Sequence, residues 1–484
     1  MISGFDSVDV FDVRKIRSRN DPELLEFQRA ATPVTIVSAD SHVLAPAEDF
    51  INYLEPRYRH CRDTYMADLE KFYDFFGFFG YPFKPEVLDI IDTRGALRAG
   101  GEIGTFDPLR RLREVEAEGV VAELLNPGSA LGFIPLFDSL QSRWSPEMRA
   151  AGARAHNRFL ADYCSEAPDR LLGVYLIYPW PDMDAIGEQC RRVRELGGKA
   201  VKPPMQAGVP GDPCPAFFDR YWDPMWAACE ENELVVHIHA GHGGEQGTFL
   251  DLIRNAAIQE GAPDPAGGEE LSPFAKLFET FRERIPLWQL MWGGVFDRFP
   301  RLKISFLEIH GDWVPGTLAF LDKRYRDDGG SAMQLSPSEY WARNCAVGAS
   351  LLRHGDVAAR HAIGVDRLMF GTDYPHREGT WPNTLDWIRA SLNEVPEKEA
   401  RMILGDNAID FYGLDRALLE KEAMRIGPTA GDLLGSRHSV DSNLLENFED
   451  RGGIGKRANI FETELLVSLD ATIESMAAAQ TGCT

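Results

Sequence analysis

Cysteine is scarce and scattered. The seven cysteines among 484 residues (Cys61, Cys164, Cys190, Cys214, Cys229, Cys345 and Cys483) stand singly, with no C-x-x-C pair. An odd, dispersed set favours reduced thiols in the cytosol over a disulfide framework. No apolar run approaches the roughly 18 residues of a membrane span. The stretch Met1 to Asn20 alternates acidic, basic and apolar residues and lacks the apolar core of a signal peptide. The expected location is therefore the cytoplasm. Positive charge is also in deficit: 51 Lys plus Arg against 75 Asp plus Glu, a formal net charge of −24. So acidic a surface argues against nucleic acid or an anionic membrane as partner.

What is present is ordinary for a globular protein, with 44% hydrophobic and 26% charged residues. The length suits two or three domains, or one α/β barrel with additions. Residues 1–32 read as an appended arm. Apolar runs then alternate with helical periodicity. Strands are predicted at 34–38, 120–125, 172–178, 199–202, 234–239, 302–307 and 368–370, with a weaker one at 344–347. Helices are predicted between them, among them 109–118, 148–167, 183–196, 217–232, 274–299, 313–326, 351–363, 385–394 and 398–411. Strand–helix alternation implies right-handed parallel βαβ units. Eight such units close as a (β/α)₈ TIM barrel over about 33–415.

Two insertions interrupt the rhythm. The first, 57–105, carries the aromatic run Phe72–Phe83. It reads as a satellite core, or as an apolar lid over the barrel mouth that would suit an aromatic substrate. The second, 243–272, is rich in Gly, Pro and Glu. Residues 416–484 read as a C-terminal extension with a late helix at 462–479. Both terminal segments are candidate contacts for a homodimer.

The strand ends carry the chemistry. Asp40 and His42 follow the first strand, two apart and so on one side of the pleat. His237 and His239 end the fifth, Glu308 and His310 follow the sixth, and Asp373 follows the eighth. Barrels keep their chemistry at the carboxyl ends of their strands, and core packing does not call for this many polar groups there. Nitrogen and oxygen donors without thiolate suit Zn²⁺, Mn²⁺ or Fe²⁺. His242 and His376 lie on loops at the same rim.

With these residues in view, the chain resembles the amidohydrolase superfamily, in particular the amidohydrolase-2 group that includes aminocarboxymuconate-semialdehyde decarboxylase-like enzymes. The resemblance rests on Asp40-x-His42, on Val235-Val236-His237-Ile238-His239-Ala240-Gly241, and on Phe299-Pro300-Arg301-Leu302-Lys303-Ile304 before His310-Gly311. It continues in Phe370-Gly371-Thr372-Asp373-Tyr374-Pro375-His376 and in Ile403-Leu404-Gly405-Asp406-Asn407-Ala408. It implies one divalent ion, Zn²⁺ or Mn²⁺, with Asp40, His42, His239 and Asp373 as ligands and no organic cofactor. His310 would handle protons beside the metal. The first position often carries His in this group; Asp40 there would lower the Lewis acidity and move the preference from zinc toward manganese. His237 is a further ligand or a supporting residue. Glu308 would orient His310 or pair with a buried cation, and His376 is a substrate contact or a plain loop residue.

Two reactions share such a site. One is non-oxidative decarboxylation of an aromatic or related unsaturated acid, with His310 or Asp373 as the acid. The other is hydrolysis of an amide, ester, lactone or C–C bond by a metal-activated water, with Asp373 as base. Pro315 after His310-Gly311 inclines the resemblance toward decarboxylation. A binding scaffold without catalysis is the third class, and the complete donor set argues against it.

Overall fold

The computed structural model describes residues 32–67, 85–128, 144–178, 183–204, 207, 214–240, 284–330, 333–376, 379–435 and 439–451. The N-terminal arm, the aromatic run 72–83, the insertion 243–272, His242 and the late helix 462–479 lie outside them.

Eight strands, β1 (Ile36–Val43), β2 (Val120–Pro127), β3 (Leu171–Leu176), β4 (Ala200–Lys202), β5 (Val235–His239), β6 (Lys303–Leu307), β7 (Cys345–Ser350) and β8 (Leu368–Gly371), pair in sequence order in one sheet. Every pairing is parallel. Beyond β8 the chain returns to β1: Asp373 N donates to Asp40 O at 2.9 Å and His42 N to Tyr374 O at 2.7 Å. Those two bonds draw the sheet into a nearly closed barrel, the expected (β/α)₈ form.

Helices cover the outside: α1 (Pro108–Ala117), α2 (Pro146–Cys164), α3 (Ile186–Glu195), α4 (Asp223–Glu231), α5 (Ile285–Trp292), α6 (Val314–Asp327), α7 (Pro337–Asn344), α8 (His354–Ile363) and α9 (Thr384–Leu392). Strand periodicity divides the apolar residues between two cores. Ile36, Val120, Tyr175, Val201, Val236, Ile304 and Phe370 pack outward against the helices. Val37, Leu124, Val174, Ala200, Val235 and Met369 fill the barrel interior. Its floor is closed by α10 (Asn407–Tyr412) and α11 (Arg416–Ile426), which contribute Ile409, Tyr412, Leu419 and Ala423 to that inner core. The chain after 415 thus continues against the barrel, and α12 (Ser442–Arg451) adds Leu444 and Phe448 to a small cluster with Trp387.

Several helices differ from the sequence expectation. The segment 217–232 divides at Trp222 into a 3₁₀ turn and α4, where Pro224 fits the first turn because it needs no donor there. The described part of 274–299 breaks at Gly293-Gly294, with Gly294 at φ 64°. Helix α7 was not expected, although Ser336 and Glu339 form a capping box at its start. The stretch 398–411 contains a π turn at Met402–Asp406.

The first strand departs most usefully. It runs on through the D-x-H pair to Val43, and its register slips between Ser38 and Ser41: Ser38 faces Glu123 and Ser41 faces Leu125. One extra residue is accommodated, as in a β-bulge. Ala39 belongs to the barrel interior, and regular alternation would turn Asp40 outward. The bulge resets the phase, so Asp40 and His42 both face the mouth.

A hydroxyl cluster holds this irregular backbone. Thr372 Oγ1 lies 3.0 Å from Ser38 Oγ and 2.9 Å from Ser41 Oγ, and Ser38 Oγ donates to Asp40 O at 2.7 Å. Gly371 completes the fit, since a β-carbon there would come within 3.0 Å of both Asp40 Cβ and Ser350 Oγ.

Under the bulge lies a buried charge system. Arg111 of α1 and Glu123 of β2 are fully buried. Arg111 Nε donates to Glu123 Oε2 at 2.7 Å and Nη2 to Oε1 at 3.1 Å, while Nη1 donates to His42 O at 3.0 Å. Its guanidinium also lies over the Tyr374 ring at 3.9 Å. Beside it Glu114 accepts from Tyr374 Oη and Arg110 Nε, both at 2.5 Å.

Burial nevertheless wins at Glu114 and raises its carboxyl to about 7. A raised carboxyl contributes stability in its protonated form. That contribution is complete below the ordinary value near 4.5 and is lost as pH rises through about 7. The Glu114→Gln variant is therefore expected to match the parent near pH 4.5 and to exceed it by up to about 3 kcal/mol at pH 8. Urea titrations at the two pH values test this, and equal offsets at both would contradict it.

Candidate metal centre

The strand ends bring Asp40 and His42 (β1), His239 (β5), Glu308 (after β6) and Asp373 (after β8) to one side of the barrel. Asp40, His42, His239 and Asp373 are at most 5% exposed. Ligand atoms of Asp40, His42, His239 and Glu308 lie within 4.8 Å of one another, and so do those of His42, Glu308, Asp373 and His376. His42 Nε2 is 3.2 Å from Asp373 Oδ1, 3.6 Å from Asp40 Oδ1 and 3.8 Å from Glu308 Oε2. His239 Nε2 is 3.2 Å from Glu308 Oε2 and 3.4 Å from Asp40 Oδ1.

Despite these neighbours, neither Nε2 makes a hydrogen bond among the described residues. Buried polar atoms are normally satisfied. Two orphaned imidazole nitrogens facing carboxylates across such gaps fit a divalent ion, whose ligands surround it at about 2.0–2.2 Å. Electrostatics agree with that use. Burial, reinforced by the nearby His376 and His239, holds His42 well below the usual histidine range. Burial also lowers His239, against the pull of Asp40. Both rings are thus in the neutral form that ligates metal. At Asp40 burial works against ionisation, but His239, the Ser350 hydroxyl and His376 together outweigh it and lower the carboxyl.

Three residues at the rim hold unusual backbone. Glu308 (φ 58°), His310 (φ 55°) and Asp373 (φ 55°) all lie in the left-handed region. For side chains other than Gly or Asn this costs on the order of 1 kcal/mol each and concentrates at functional sites.

The geometry assigns neighbours that the sequence left open. His237 stays below the cluster. Its Nδ1 is 2.9 Å from Asn126 Oδ1 and its Nε2 is 2.9 Å from Tyr412 Oη. Asn126 Nδ2 in turn donates to Asp40 Oδ1 at 2.8 Å. His237 therefore supports Asp40 through Asn126, and both of its ring nitrogens are occupied. Ser350 Oγ donates to the other oxygen, Asp40 Oδ2, at 2.5 Å.

His376 bonds Asp373 Oδ1 through Nδ1 at 2.8 Å and lies over His42, with ring centroids 4.1 Å apart. Glu308 turns toward His42 and His239. Of the two roles the sequence offers Glu308, orienting His310 or pairing with a buried cation, the first has a competitor in Asp356 of α8, whose Oδ2 lies 3.6 Å from His310 Nδ1. Asp356 is fixed by the backbone N–H of Gly311 (2.6 Å) and Arg353 (2.9 Å). Its burial opposes ionisation, but the neighbouring His310 and these amides hold its carboxyl low. Asn126, Ser350, Asp356 and Tyr412 carry no local sequence signature. They sit in ordinary strand and helix positions, far along the chain from the residues they touch.

Similarity to known proteins agrees with this architecture. The sequence profile of the amidohydrolase family (Amidohydro_2) matches residues 139–414. γ-Resorcylate decarboxylase of Rhodococcus jostii is 29% identical over 284 residues, covering 54% of this chain and 77% of the relative. 2-Amino-3-carboxymuconate-6-semialdehyde decarboxylase of Dictyostelium discoideum is 23% identical over 317 residues, covering 64% and 77%. Among solved structures, the 5-carboxyvanillate decarboxylase of Novosphingobium aromaticivorans, determined with manganese and a nitrobenzoic acid ligand, superposes with a TM-score of 0.54. It is 18% identical and covers 79% of this chain and 96% of its own, so it shares the fold. With its profile match spanning more than half its length and its eight parallel strands in sequence order, the chain belongs to the amidohydrolase family.

Proposed function

We propose that this protein is a metal-dependent, non-oxidative decarboxylase of an aromatic or related unsaturated carboxylic acid. The observation that carries the reading is the cluster of four strand-end donors with two orphaned imidazole nitrogens. The decarboxylase relatives support the reaction class. Asp40, His42, His239 and Asp373 would hold one divalent ion, with the Glu308 carboxylate beside His42 and His239. The ion supplies a cationic, electron-withdrawing centre for the substrate's oxygens.

The rest is the work of side chains. His310, backed by Asp356, holds a proton at the rim. The C–C bond to the carboxylate breaks, its electron pair remains on the substrate carbon, and His310 delivers the proton that takes the place of CO₂. No electron acceptor is needed. His376 fixes Asp373 and keeps it from turning toward that proton.

The test is CO₂ release from γ-resorcylate and 5-carboxyvanillate by protein loaded with Mn²⁺ or Zn²⁺. Release that stops on chelation and returns with metal is expected. A loaded protein that cleaves esters or lactones and releases no CO₂ from any aromatic acid would replace this reading with hydrolysis.

A further inference from the structure

Lys202 ends β4, where Ala200 fills the barrel interior and Val201 packs outward. Alternation therefore turns Lys202 inward. Its position is paired with Leu176 of β3, on the mouth side of Val174. The residue is 5% exposed, yet among the described residues its ammonium makes no hydrogen bond or ion pair. β4 pairs in parallel with β5, Ala200 opposite Val235 and Val201 opposite Val236, so Lys202 stands level with His237 at the strand ends that carry the cluster. Across β3, Asn157 of α2 donates to the carbonyl of Leu176, the residue paired with Lys202; its neighbour His156 is fully buried, and among the described residues neither ring nitrogen has a hydrogen-bond partner.

A buried lysine is seldom left without an anion, because removing an unpaired charge from water is costly. The charge balance names the missing partner. Asp40, Glu308 and Asp373 bring three negative charges to the mouth, and a divalent ion leaves one uncancelled. The whole chain stands at −24. An anionic substrate would meet net repulsion there unless a further cation received it. We infer that Lys202 is that receiver: its ammonium, with His156 as a neighbouring donor, binds the carboxylate of the substrate beside the metal.

This deepens the decarboxylase reading and rests on it. It also assigns the residue a kinetic signature. The ammonium meets the carboxylate on binding and still lies beside the substrate's charge as that charge moves toward the adjacent ring, so the contact is nearly the same in the ground state and the transition state. Lys202 therefore governs KM more than kcat.

The experiment compares wild type, Lys202→Met and Lys202→Arg, each loaded with Mn²⁺, using benzoate as the anionic probe and phenol as the neutral one. Calorimetry should show benzoate weakened at least about tenfold in Lys202→Met and largely restored in Lys202→Arg, with phenol binding and manganese content unchanged. Lys202→Met should also melt higher than wild type, since it removes an unpaired buried charge without changing the shape much. In turnover, KM should rise about tenfold with kcat within threefold.

Benzoate affinity unchanged in Lys202→Met at full metal content would overturn the inference, as would a lower melting temperature, which would reveal an internal partner. No CO₂ release from any acid, together with Lys202-dependent benzoate binding, would remove the reaction and leave the anion site. Undiminished CO₂ release and KM in Lys202→Met would do the reverse.

Discussion

Asp373→Asn is expected to lower CO₂ release by about a thousandfold or more, and His239→Ala to lose the metal as well. Both residues are buried and lie at the meeting point of the strand ends. The asparagine keeps the shape of Asp373 and can still accept from His376 Nδ1, now 2.8 Å away. It removes a negative charge from beside His42 Nε2 at 3.2 Å, and losing such a charge weakens a metal site far more than losing a neutral contact. Removing His239 deletes one of the two imidazole donors outright.

Neither variant should unfold the apoprotein. Three carboxylates crowded at one mouth repel one another without an ion, so metal-free Asp373→Asn should melt at or above the parent temperature. Elemental analysis beside the CO₂ assay and a melting curve separates these effects. A variant with full turnover would remove Asp373 from the metal site. A variant that melts much lower in the apo form would make it a structural residue.

Arg111→Met should destabilise the fold by about 3–5 kcal/mol, the usual result of stripping one partner from a buried ion pair. Here the penalty falls at three places. Glu123 is left as an uncompensated buried anion, although it still accepts from Ser41 Oγ at 2.8 Å. The carbonyl of His42 loses its donor. The Tyr374 ring loses the cation above it. Burial alone would disfavour the charge on Arg111, and Glu123 more than reverses that.

The double variant Arg111→Met with Glu123→Leu should recover much of the loss, because no lone charge remains. Urea unfolding of the four proteins forms the cycle. A single variant within about 1 kcal/mol of wild type would mean that the pair contributes little. Because Arg111 also holds the backbone of His42, the single variant should bind Mn²⁺ less tightly even while folded.

The sequence makes the barrel legible because its evidence is local: runs such as Leu302–Leu307 and the polar residues that stop them fall within a few positions of each other. His42, His239 and Asp373 stand out for the same reason, as polar groups at the ends of apolar strands. The bulge at Ser38–Ser41 escapes, since it exists only in the offset against β2. Asp356 and Ser350 escape because contact joins them to their partners across long stretches; Ser350 and Asp40 are 310 residues apart. For Glu308 the sequence offers His310 or a buried cation as partner. Nearness in sequence suggests the first, while across the mouth the carboxylate lies against His42 and His239, residues far along the chain. The helix break at Gly293-Gly294 was visible as two glycines, but the apolar periodicity on either side masked it.

The link from Tyr412 through His237 and Asn126 to Asp40 has a direction. A carboxylate only accepts, so Asn126 presents its amide nitrogen to Asp40 and its oxygen to His237. His237 must then carry its proton on Nδ1 and accept the Tyr412 hydroxyl proton at Nε2. Every dipole in the row points from the barrel floor toward the mouth. The His237 proton cannot move to Nε2 alone, because Nδ1 would then face the Asn126 oxygen as a second acceptor. The floor and the mouth are thereby locked in one polarity, and Asp40 receives the positive end of an aligned row of dipoles before any ion arrives.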